Sequence, residues 1–266
     1  MDVADSQPLP TNHTFVICAY GESEYLEDCV RSVVSQTEPS NLLITTSTDL
    51  PHIREIADRY RIGLRVNPGS GTMQDNWNFG LQCAKTDFVT LCHQDDTYAC
   101  AYYQGIRPYL TDDLLYLHTG YWNMDQERRY RDINNRLRGI LNAPLRIRAL
   151  QRLRWVKRGA LRFGNSVCCP SCTYHKTGAR TPLFQSALTH GLDWDTYIDL
   201  ADARGRVAYV AGRLCNKRTH SQSATVSDIR SGVRYREDRY LFSRLWSRKI
   251  ASLLLALYQK IYKYSL

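Results

Sequence analysis

Two adjacent carboxylates follow a short apolar run in the first half of the chain. The sequence His93-Gln-Asp-Asp-Thr97 comes directly after Phe88–Cys92, which has the composition of a buried strand. Paired carboxylates at the carboxyl end of a strand suit Mg²⁺ or Mn²⁺, hard cations that take oxygen ligands and leave positions open for phosphate. A solvated turn, where Asp is also common, would show the same residues. The position of the pair in the fold must decide between the two.

The positive charge of the chain is concentrated in one segment. The whole chain carries +9, but the twelve Arg and Lys residues from Arg128 to Arg162, against the single acid Asp132, give that segment +11. Such a patch predicts an anionic partner: nucleic acid, anionic lipid and a phosphorylated substrate all fit. The patch does not choose among them.

The cysteines and the absence of long apolar runs bear on the compartment. An odd number of Cys, nine, with several in apolar runs, is typical of reduced thiols, and Cys169-x-x-Cys172 has no second pair nearby to complete a zinc site. Residues 1–12 are polar and unlike a signal peptide, and no apolar run reaches the ~20 residues of a spanning helix. We therefore expect a cytoplasmic protein, soluble or peripheral on the inner face of the cell membrane.

The first hundred residues alternate between strand-like and helix-like segments. Apolar runs at 14–19, 42–46, 64–66 and 88–92 predict strands, and the spacing of Leu26, Cys29, Val30, Val33 and Val34 predicts a helix between the first two. This alternation predicts βαβ units and a parallel sheet, whose ligands bind at the carboxyl ends of the strands. The loops after Ala19, Thr46 and Cys92 are therefore the candidate site.

The second half of the chain is less regular. It predicts strands at 114–119 and 207–210, a loop and strand over 164–171, a helix over 193–203 and a long helix over 240–266. No repeat or low-complexity linker divides it, so one domain with a tail is the simplest organisation.

Four stretches, in order, resemble the family-2 inverting glycosyltransferases of GT-A fold. Residues 15–22 with 25–37 resemble the opening strand, aromatic-containing loop and first helix of that family, and residues 78–85 with Gln94-Asp-Asp96 resemble the lead into its Asp-x-Asp region. Residues 191–201 resemble the element that supplies the catalytic base, with Leu192 in place of Glu, and Arg218-Thr-His220 resembles a late Arg-x-His element. The resemblance covers nearly the whole chain.

The resemblance implies an α/β fold: a Rossmann-like, mainly parallel sheet flanked by helices (GT-A type), with a C-terminal amphipathic helix. It implies a catalytic domain at 1–235, with a nucleotide-sugar-binding half (1–97) and an acceptor-binding half (98–235), followed by the amphipathic helix at 236–266.

The resemblance also implies roles for single residues. Tyr20 would stack on the nucleotide base beside Glu22, and Asp95 would hold a Mn²⁺ or Mg²⁺ ion on the diphosphate, with Asp96 near the donor sugar. Asp193 would accept the proton of the attacking acceptor hydroxyl, and the anomeric carbon would invert. Taken singly, Tyr20 also fits a core aromatic and Asp193 a helix cap.

The chain departs from the family pattern in two places. Thr46 and Ser47 stand where the family usually has a base-reading Asp, and His93 replaces the first Asp of the metal region. We expect Thr46, Ser47, Asp75 and Arg218 to contribute to nucleotide-sugar binding. His220 is a candidate ligand of the metal or diphosphate, although a lone His is more often structural.

The tail and the basic segment predict contact with an anionic membrane surface. The expected helix from Tyr240 to Leu266 has a broad apolar stripe, five cationic residues and no acid, a pattern typical of interfacial helices. A helix packed on the domain would show the same stripe. The basic segment also mixes Arg with apolar residues, and each cation near an anionic surface contributes about 1 kcal/mol.

Together these features predict a metal-dependent, inverting transferase that moves a sugar from a nucleotide diphosphate donor to a saccharide acceptor. We expect a lipid-linked acceptor, as in bacterial surface polysaccharide synthesis. The alternative from another class is a nucleic-acid-binding protein that grips phosphates with the Arg128–Arg162 segment. The carboxylates Asp95, Asp96 and Asp193 argue against that alternative, because they would repel a polyanion.

Overall fold

The computed structural model describes residues 11–125, 128–178, 181–219 and 233–263. The strands are β1 His13–Ala19, β2 Asn41–Thr46, β3 Gly63–Val66, β4 Phe88–His93, β5 Thr97–Tyr98, β6 Leu114–Asp125, β7 Arg128–Tyr130, β8 Cys172–His175 and β9 Arg206–Arg218. The helices are α1 Leu26–Val34, α2 Pro51–Arg59, α3 Met73–Cys83, α4 Tyr102–Ile106, α5 Ile133–Asn142, α6 Arg154–Leu161, α7 Leu192–Asp202, α8 Val233–Leu245 and α9 Arg248–Lys263.

The strands of the described residues form one sheet in the order β3-β2-β1-β4-β8-β6-β9-β5, with β7 paired to β6. Strands β1 to β4 are mutually parallel, β8 runs antiparallel between β4 and β6, and β6 and β9 are parallel. The predicted α/β fold with helices on a mainly parallel sheet is confirmed. The parallel strands bring the loops after β1, β2 and β4 to one edge.

The two faces of the sheet are covered by two hydrophobic clusters. Alternate residues of β1 belong to different clusters: Val16 packs with α3, α7 and α8, whereas Phe15 and Ile17 pack with α1, α2 and α4. A strand buried on both faces reads as a continuous apolar run, as β1 does. In α1 the predicted positions Leu26, Cys29, Val30 and Val33 are buried, so that periodicity is confirmed, but Val34 is 46% exposed.

The C-terminal segment is two helices rather than the single one expected. The helix is interrupted at Trp246–Ser247, where the Trp246 indole donates a hydrogen bond to the carbonyl of Arg162 (2.8 Å). In α8, Leu241 and Phe242 are buried in the same cluster as Trp194. This half of the apolar stripe is therefore part of the core.

Helix α9 covers the domain with one side only. Ala251 and Leu255 are buried, whereas Leu253 and Leu257 are 62% and 50% exposed. None of the helices in the described part of the chain has the length and apolar content of a transmembrane span. The boundary expected at 235/236 between domain and tail stays a prediction.

Several cations of the basic segment are used inside the domain. Lys157 is buried and donates to the carbonyls of Ala203 (2.6 Å) and Gly205 (3.3 Å), just beyond the end of α7. Arg154 and Arg158 both pair with Asp202. Part of the charge that the sequence assigns to an external partner therefore holds α6 against α7.

Candidate active site

Three loops meet at the carboxyl edge of the sheet, as the strand pattern predicts. The backbone N–H of Tyr20, after β1, donates to the Gln94 side chain (2.9 Å), which donates back to the Tyr20 carbonyl (2.8 Å). The N–H of Gly21 donates to Thr48 Oγ1 after β2 (2.7 Å). These bonds join the three loops into one surface.

Tyr20 lies on that surface rather than in the core, with 59% of its area exposed. Glu22 is exposed beside it. Between them Gly21 adopts φ +62°, a conformation that favours glycine, and it lets the chain turn sharply after β1. An exposed ring at a strand end offers a flat face to a base, so the core alternative for Tyr20 is excluded.

The hydroxyl of Thr46 is turned back into its own loop. Thr46 is buried, and its Oγ1 accepts from the Thr48 N–H (3.0 Å) while donating to the Thr48 carbonyl (2.9 Å). Ser47 Oγ accepts from the Asn76 side chain (3.0 Å) and is half-buried. Of the two residues expected to replace the family's Asp, Ser47 is the more accessible.

Asp75 organises the loop before α3. Its carboxylate accepts hydrogen bonds from Asn67 Nδ2 (3.1 Å), Ser70 Oγ (3.3 Å) and the Gly71 N–H (3.2 Å). Gly69 also approaches it closely, since a Cβ there would lie 2.3 Å from Asp75 Oδ2. The carboxylate therefore shapes the loop at the edge of the site.

Asp95 and Asp96 point in different directions. Asp96 is 4% exposed, its Oδ1 accepts from the Arg218 N–H (2.7 Å), and burial raises its pKa to about 7. Asp95 is half-buried, and its Oδ1 accepts from Ser23 Oγ (3.3 Å). Asp95 is thus the more accessible of the two carboxylates, while Asp96 fixes the end of β9.

His93, the last residue of β4, has a ring nitrogen without a hydrogen-bond partner among the described residues. Its ring stacks on Trp77 (5.3 Å between centroids), and its Nε2 is buried without a hydrogen-bond partner among the described residues. Burial lowers the pKa of His93 to about 4, so the imidazole is neutral at pH 7. A neutral imidazole can bind a divalent metal.

Arg218 is held by protein groups on several sides. Its guanidinium pairs with Asp28 (3.1 Å), lies 4.3 Å from the ring centre of Tyr25, and donates from Nε to the Asp95 carbonyl (3.0 Å). It therefore ties β9 to α1 and to the β4 loop. His220, the other residue of the late motif, lies outside the described residues.

Lys217 is a site residue that the sequence did not reveal. Burial raises the pKa of both Asp96 and Asp193, and the positive charge of Lys217 acts against both shifts, so the ammonium lies within electrostatic reach of both carboxylates. Among the described residues the Lys217 side chain makes no ion pair or hydrogen bond, while its backbone belongs to the β6/β9 ladder. The sequence predicted a strand only at 207–210, whereas β9 reaches residue 218. Because successive side chains of a strand point to opposite faces, Lys217 and Arg218 project from different faces of the sheet.

Asp193 lies in the first turn of α7 and is not its N-cap residue. The N-cap is Gly191, whereas the Asp193 carboxylate accepts from the Trp194 N–H (2.7 Å) and from Asn165 Nδ2 (2.8 Å). Burial raises the pKa of Asp193, and these two hydrogen bonds oppose the rise. The N-cap position is therefore not filled by Asp193, although its carboxylate accepts one N–H of the first turn, as a capping side chain does. The carboxylate is half-buried, oriented and more basic than usual.

The loop before α7 is fixed by the C-terminal segment. Glu237 of α8 accepts hydrogen bonds from the backbone N–H groups of Thr189, His190 and Gly191, each at 2.8 Å. Arg244 of the same helix pairs with Asp195 and Asp199 on α7. Helix α8 thus positions the helix that carries Asp193.

The donor set fits a metal bound partly by substrate. The described residues contain no group of three or more His, Cys, Asp or Glu side chains that could hold a metal by themselves. Mg²⁺ and related ions are commonly held by one or two carboxylates together with substrate phosphates. The half-buried Asp95 is such a carboxylate, and the unpartnered Nε2 of His93, two residues before it, is a further potential donor.

The family is decided by the sequence match. Residues 14–172 match the model of glycosyl transferase family 2, which is more than half of the chain. The chain belongs to this family. It is therefore a glycosyltransferase, and the match spans β1 to the first residue of β8.

Solved structures show the same fold for this family 2 glycosyltransferase. S. aureus TarS 1–349, solved in complex with UDP-GlcNAc, superposes with a TM-score of 0.60 at 14% identity, covering 93% of this chain and 71% of that one. Glucosyl-3-phosphoglycerate synthase from Mycobacterium tuberculosis, solved with Mn²⁺, UDP-glucose and phosphoglyceric acid, superposes with a TM-score of 0.58 at 14% identity, covering 88% and 79%. No curated protein sequence matches the chain.

Proposed function

We propose that this glycosyltransferase moves a sugar, with inversion, from a nucleotide diphosphate donor to an acceptor hydroxyl. The observation that carries the proposal is the set of groups that this family 2 chain presents: the half-buried Asp95 after β4, and an Asp193 carboxylate oriented by Asn165 and the Trp194 N–H, with the Lys217 charge acting on Asp96 and Asp193. The structural neighbours solved with UDP, UDP-GlcNAc or UDP-glucose support a nucleotide donor.

The nucleotide would bind along the loops after β1 and β2. The exposed ring of Tyr20 provides a stacking face for the base, with Glu22 beside it and Ser47 within the next loop. Thr46 and Asp75 shape these loops through their internal hydrogen bonds. Asp96 and Arg218 fix the end of β9 and would thereby hold Lys217 for the diphosphate.

A divalent cation would be held by Asp95 with His93, and His220 remains a candidate further ligand. When bound, Mn²⁺ or Mg²⁺ neutralises charge on the leaving diphosphate. The neighbour solved with Mn²⁺ supports this assignment. Lys217 contributes a second positive charge, whose partner in the complex is the diphosphate.

Asp193 would act as the general base. It accepts the proton of the acceptor hydroxyl as that oxygen attacks the anomeric carbon and the nucleoside diphosphate leaves from the opposite face. Asn165 Nδ2 and the Trp194 N–H hold the carboxylate in one orientation. A positioned base of this kind contributes about 10²–10⁴-fold to the rate.

For the acceptor we propose a lipid-linked saccharide of bacterial surface polysaccharide synthesis, met at the inner face of the cell membrane. The exposed Leu253 and Leu257 of α9, with Arg248 and Lys249 in its first turn, support contact with an anionic membrane. The nucleic-acid-binding alternative is set aside because the chain belongs to a transferase family.

The test begins with a thermal-shift screen of nucleoside diphosphates with and without Mn²⁺. The best nucleotide is then titrated by calorimetry into wild type, Asp95→Asn and Asp58→Asn, the last being a control on the exposed side of α2. We expect Asp95→Asn to lose at least about tenfold in Mn²⁺-dependent affinity, the loss of one ligand contact, and Asp58→Asn to bind like wild type. Nucleotide binding that is identical with and without Mn²⁺ in the wild type would refute the metal assignment.

A further inference from the structure

A second pocket, separate from the loops after β1, β2 and β4, lies between β6, α5 and β9. Its wall is connected to the proposed base along the chain. Asn165 donates a hydrogen bond to Asp193, and the next residue, Ser166, lines the pocket. Nothing in the donor-binding edge described above accounts for it.

Three arginines line this pocket. Arg213 is exposed and packs on the Trp122 ring (4.6 Å), and Arg138 donates to the Tyr121 hydroxyl (2.8 Å), so aromatic side chains orient both guanidinium groups. Arg131 is the third. None of the described side chains that line the pocket is acidic, and the nearby Asp132 carboxylate is turned to the Asn135 N–H (2.8 Å) as a helix cap.

Two buried polar atoms in the pocket wall lack partners. Asn135 is 7% exposed and its Nδ2 has no hydrogen-bond partner among the described residues, although its Oδ1 accepts from Asn123 Nδ2 (2.8 Å) and the Asp132 N–H (3.1 Å). These two bonds fix the orientation of the amide, so the atom without a partner is the nitrogen, a hydrogen-bond donor. His118, 1% exposed, has an unpartnered Nε2 in the same wall. Buried polar groups are almost always paired, and a ligand would supply the missing partner.

We propose that this pocket binds a phosphate group, and that the phosphate belongs to the acceptor. The three guanidinium groups match the charge and planar hydrogen-bonding geometry of phosphate oxygens, and the Asn135 amide adds a neutral donor. This assignment rests on the proposed function, because it is the acceptor that must approach Asp193. It gives Arg131 and Arg138 of the basic segment a specific ligand.

The test measures binding only, so it does not depend on catalysis. Inorganic phosphate, glycerol 3-phosphate and the diester glycerophosphoglycerol are titrated by calorimetry into the full-length protein at fixed ionic strength. The variants are Arg213→Gln, Arg138→Gln and, as a matched control, Arg148→Gln, which removes an equal charge from an exposed position of the basic segment outside the pocket. Melting temperatures establish that each variant is folded.

We expect the esters to bind at least as tightly as inorganic phosphate, Arg213→Gln to weaken them by about tenfold or more, and Arg148→Gln to leave them unchanged. An equal loss in Arg148→Gln would mean nonspecific charge and would overturn the site. Binding of inorganic phosphate alone would overturn its assignment to an acceptor. If Arg138→Gln unfolds, the exposed Arg213 still decides the result. Mn²⁺-dependent nucleotide binding is measured in parallel and should persist in Arg213→Gln, so that a failure here is separate from a failure of the donor site.

Discussion

At the scale of single residues, the surroundings of each carboxylate separate their roles. Asp95, Asp96 and Asp193 look alike in the sequence, but Asp95 is half-buried beside Ser23, Asp96 is buried against the Arg218 N–H, and Asp193 is oriented by Asn165. The sequence predicted these three carboxylates as site residues, and their roles stay a prediction. It could not predict their orientation, because that depends on hydrogen bonds from residues 28 to 122 positions away.

Replacement of Asp193 by Asn tests the general base. The change keeps the shape of the side chain but removes its basicity, so we expect kcat to fall by about 10²-fold or more. The nucleotide affinity measured by calorimetry should stay near wild type, since the residue acts on the acceptor. A variant that retains more than about a tenth of the turnover would contradict the assignment.

The pH dependence of stability tests the buried histidine of β1. His13 is fully buried between Ser40 Oγ (2.7 Å) and Thr90 Oγ1 (2.8 Å), and burial lowers its pKa to about 3. Below pH 6.5 the unfolded chain binds a proton at His13 that the native state does not bind until about pH 3, so stability is lost across that window.

The corresponding variant is His13→Gln, which has no titratable group. The difference in free energy of unfolding between wild type and His13→Gln should shrink by up to about 1.4 kcal/mol per pH unit as the pH falls from 6.5 to 5. Urea denaturation at pH 7, 6 and 5 measures it. A difference that is constant with pH would show that the native state protonates His13 as readily as the unfolded chain does.

At the scale of elements, regular patterns were predictable and interruptions were not. The buried face of α1 follows from its spacing, and β1, β2 and β4 from their apolar runs. The break between α8 and α9 was missed because the apolar stripe continues through Trp246 without a Gly or Pro to mark the stop. Strands β5 and β7 were missed because two or three residues carry no periodicity.

Glu237 provides the test of how α8 supports the site. Glu237→Gln removes the charge that three backbone N–H groups share, and bonds to a charged acceptor are worth about 1.5–3 kcal/mol. We expect a loss of stability of that order and a lower kcat with unchanged nucleotide affinity. Denaturation and initial rates measure these, with Glu55→Gln on the exposed side of α2 as control. Loss of stability with a wild-type kcat would limit Glu237 to a structural role.

At the scale of the whole molecule, the basic residues of the Arg128–Arg162 segment serve at least two purposes. Lys157, Arg154 and Arg158 join α6 to the end of α7, whereas Arg131 and Arg138 line the second pocket. Composition predicted an anionic partner from the sum of these charges. It could not separate the cations that are neutralised inside the fold from those that face a ligand, because only tertiary contacts make that distinction.

Membrane association is tested on the exposed side of α9. Leu253→Gln with Leu257→Gln removes apolar area from two exposed positions while leaving the buried Ala251 and Leu255 in place. We expect the double variant to stay folded and to be released from anionic vesicles in flotation, because interfacial binding scales with buried apolar area. Arg146→Gln with Arg148→Gln serves as the matched change in the basic segment. Undiminished flotation of the Leu variant would exclude α9 as the anchor.

The contact between Glu237 and the loop before α7 has a consequence for the folding of the chain during its synthesis on the ribosome. Chains emerge N-terminus first, at about 5–20 residues per second, so the edge formed by β1, β2 and β4 is available well before residue 237 is made. The loop at Thr189–Gly191 acquires its carboxylate acceptor only when α8 has emerged. The edge formed by β1, β2 and β4 can therefore be made early, whereas the loop before the proposed base takes its final form only after α8 has emerged.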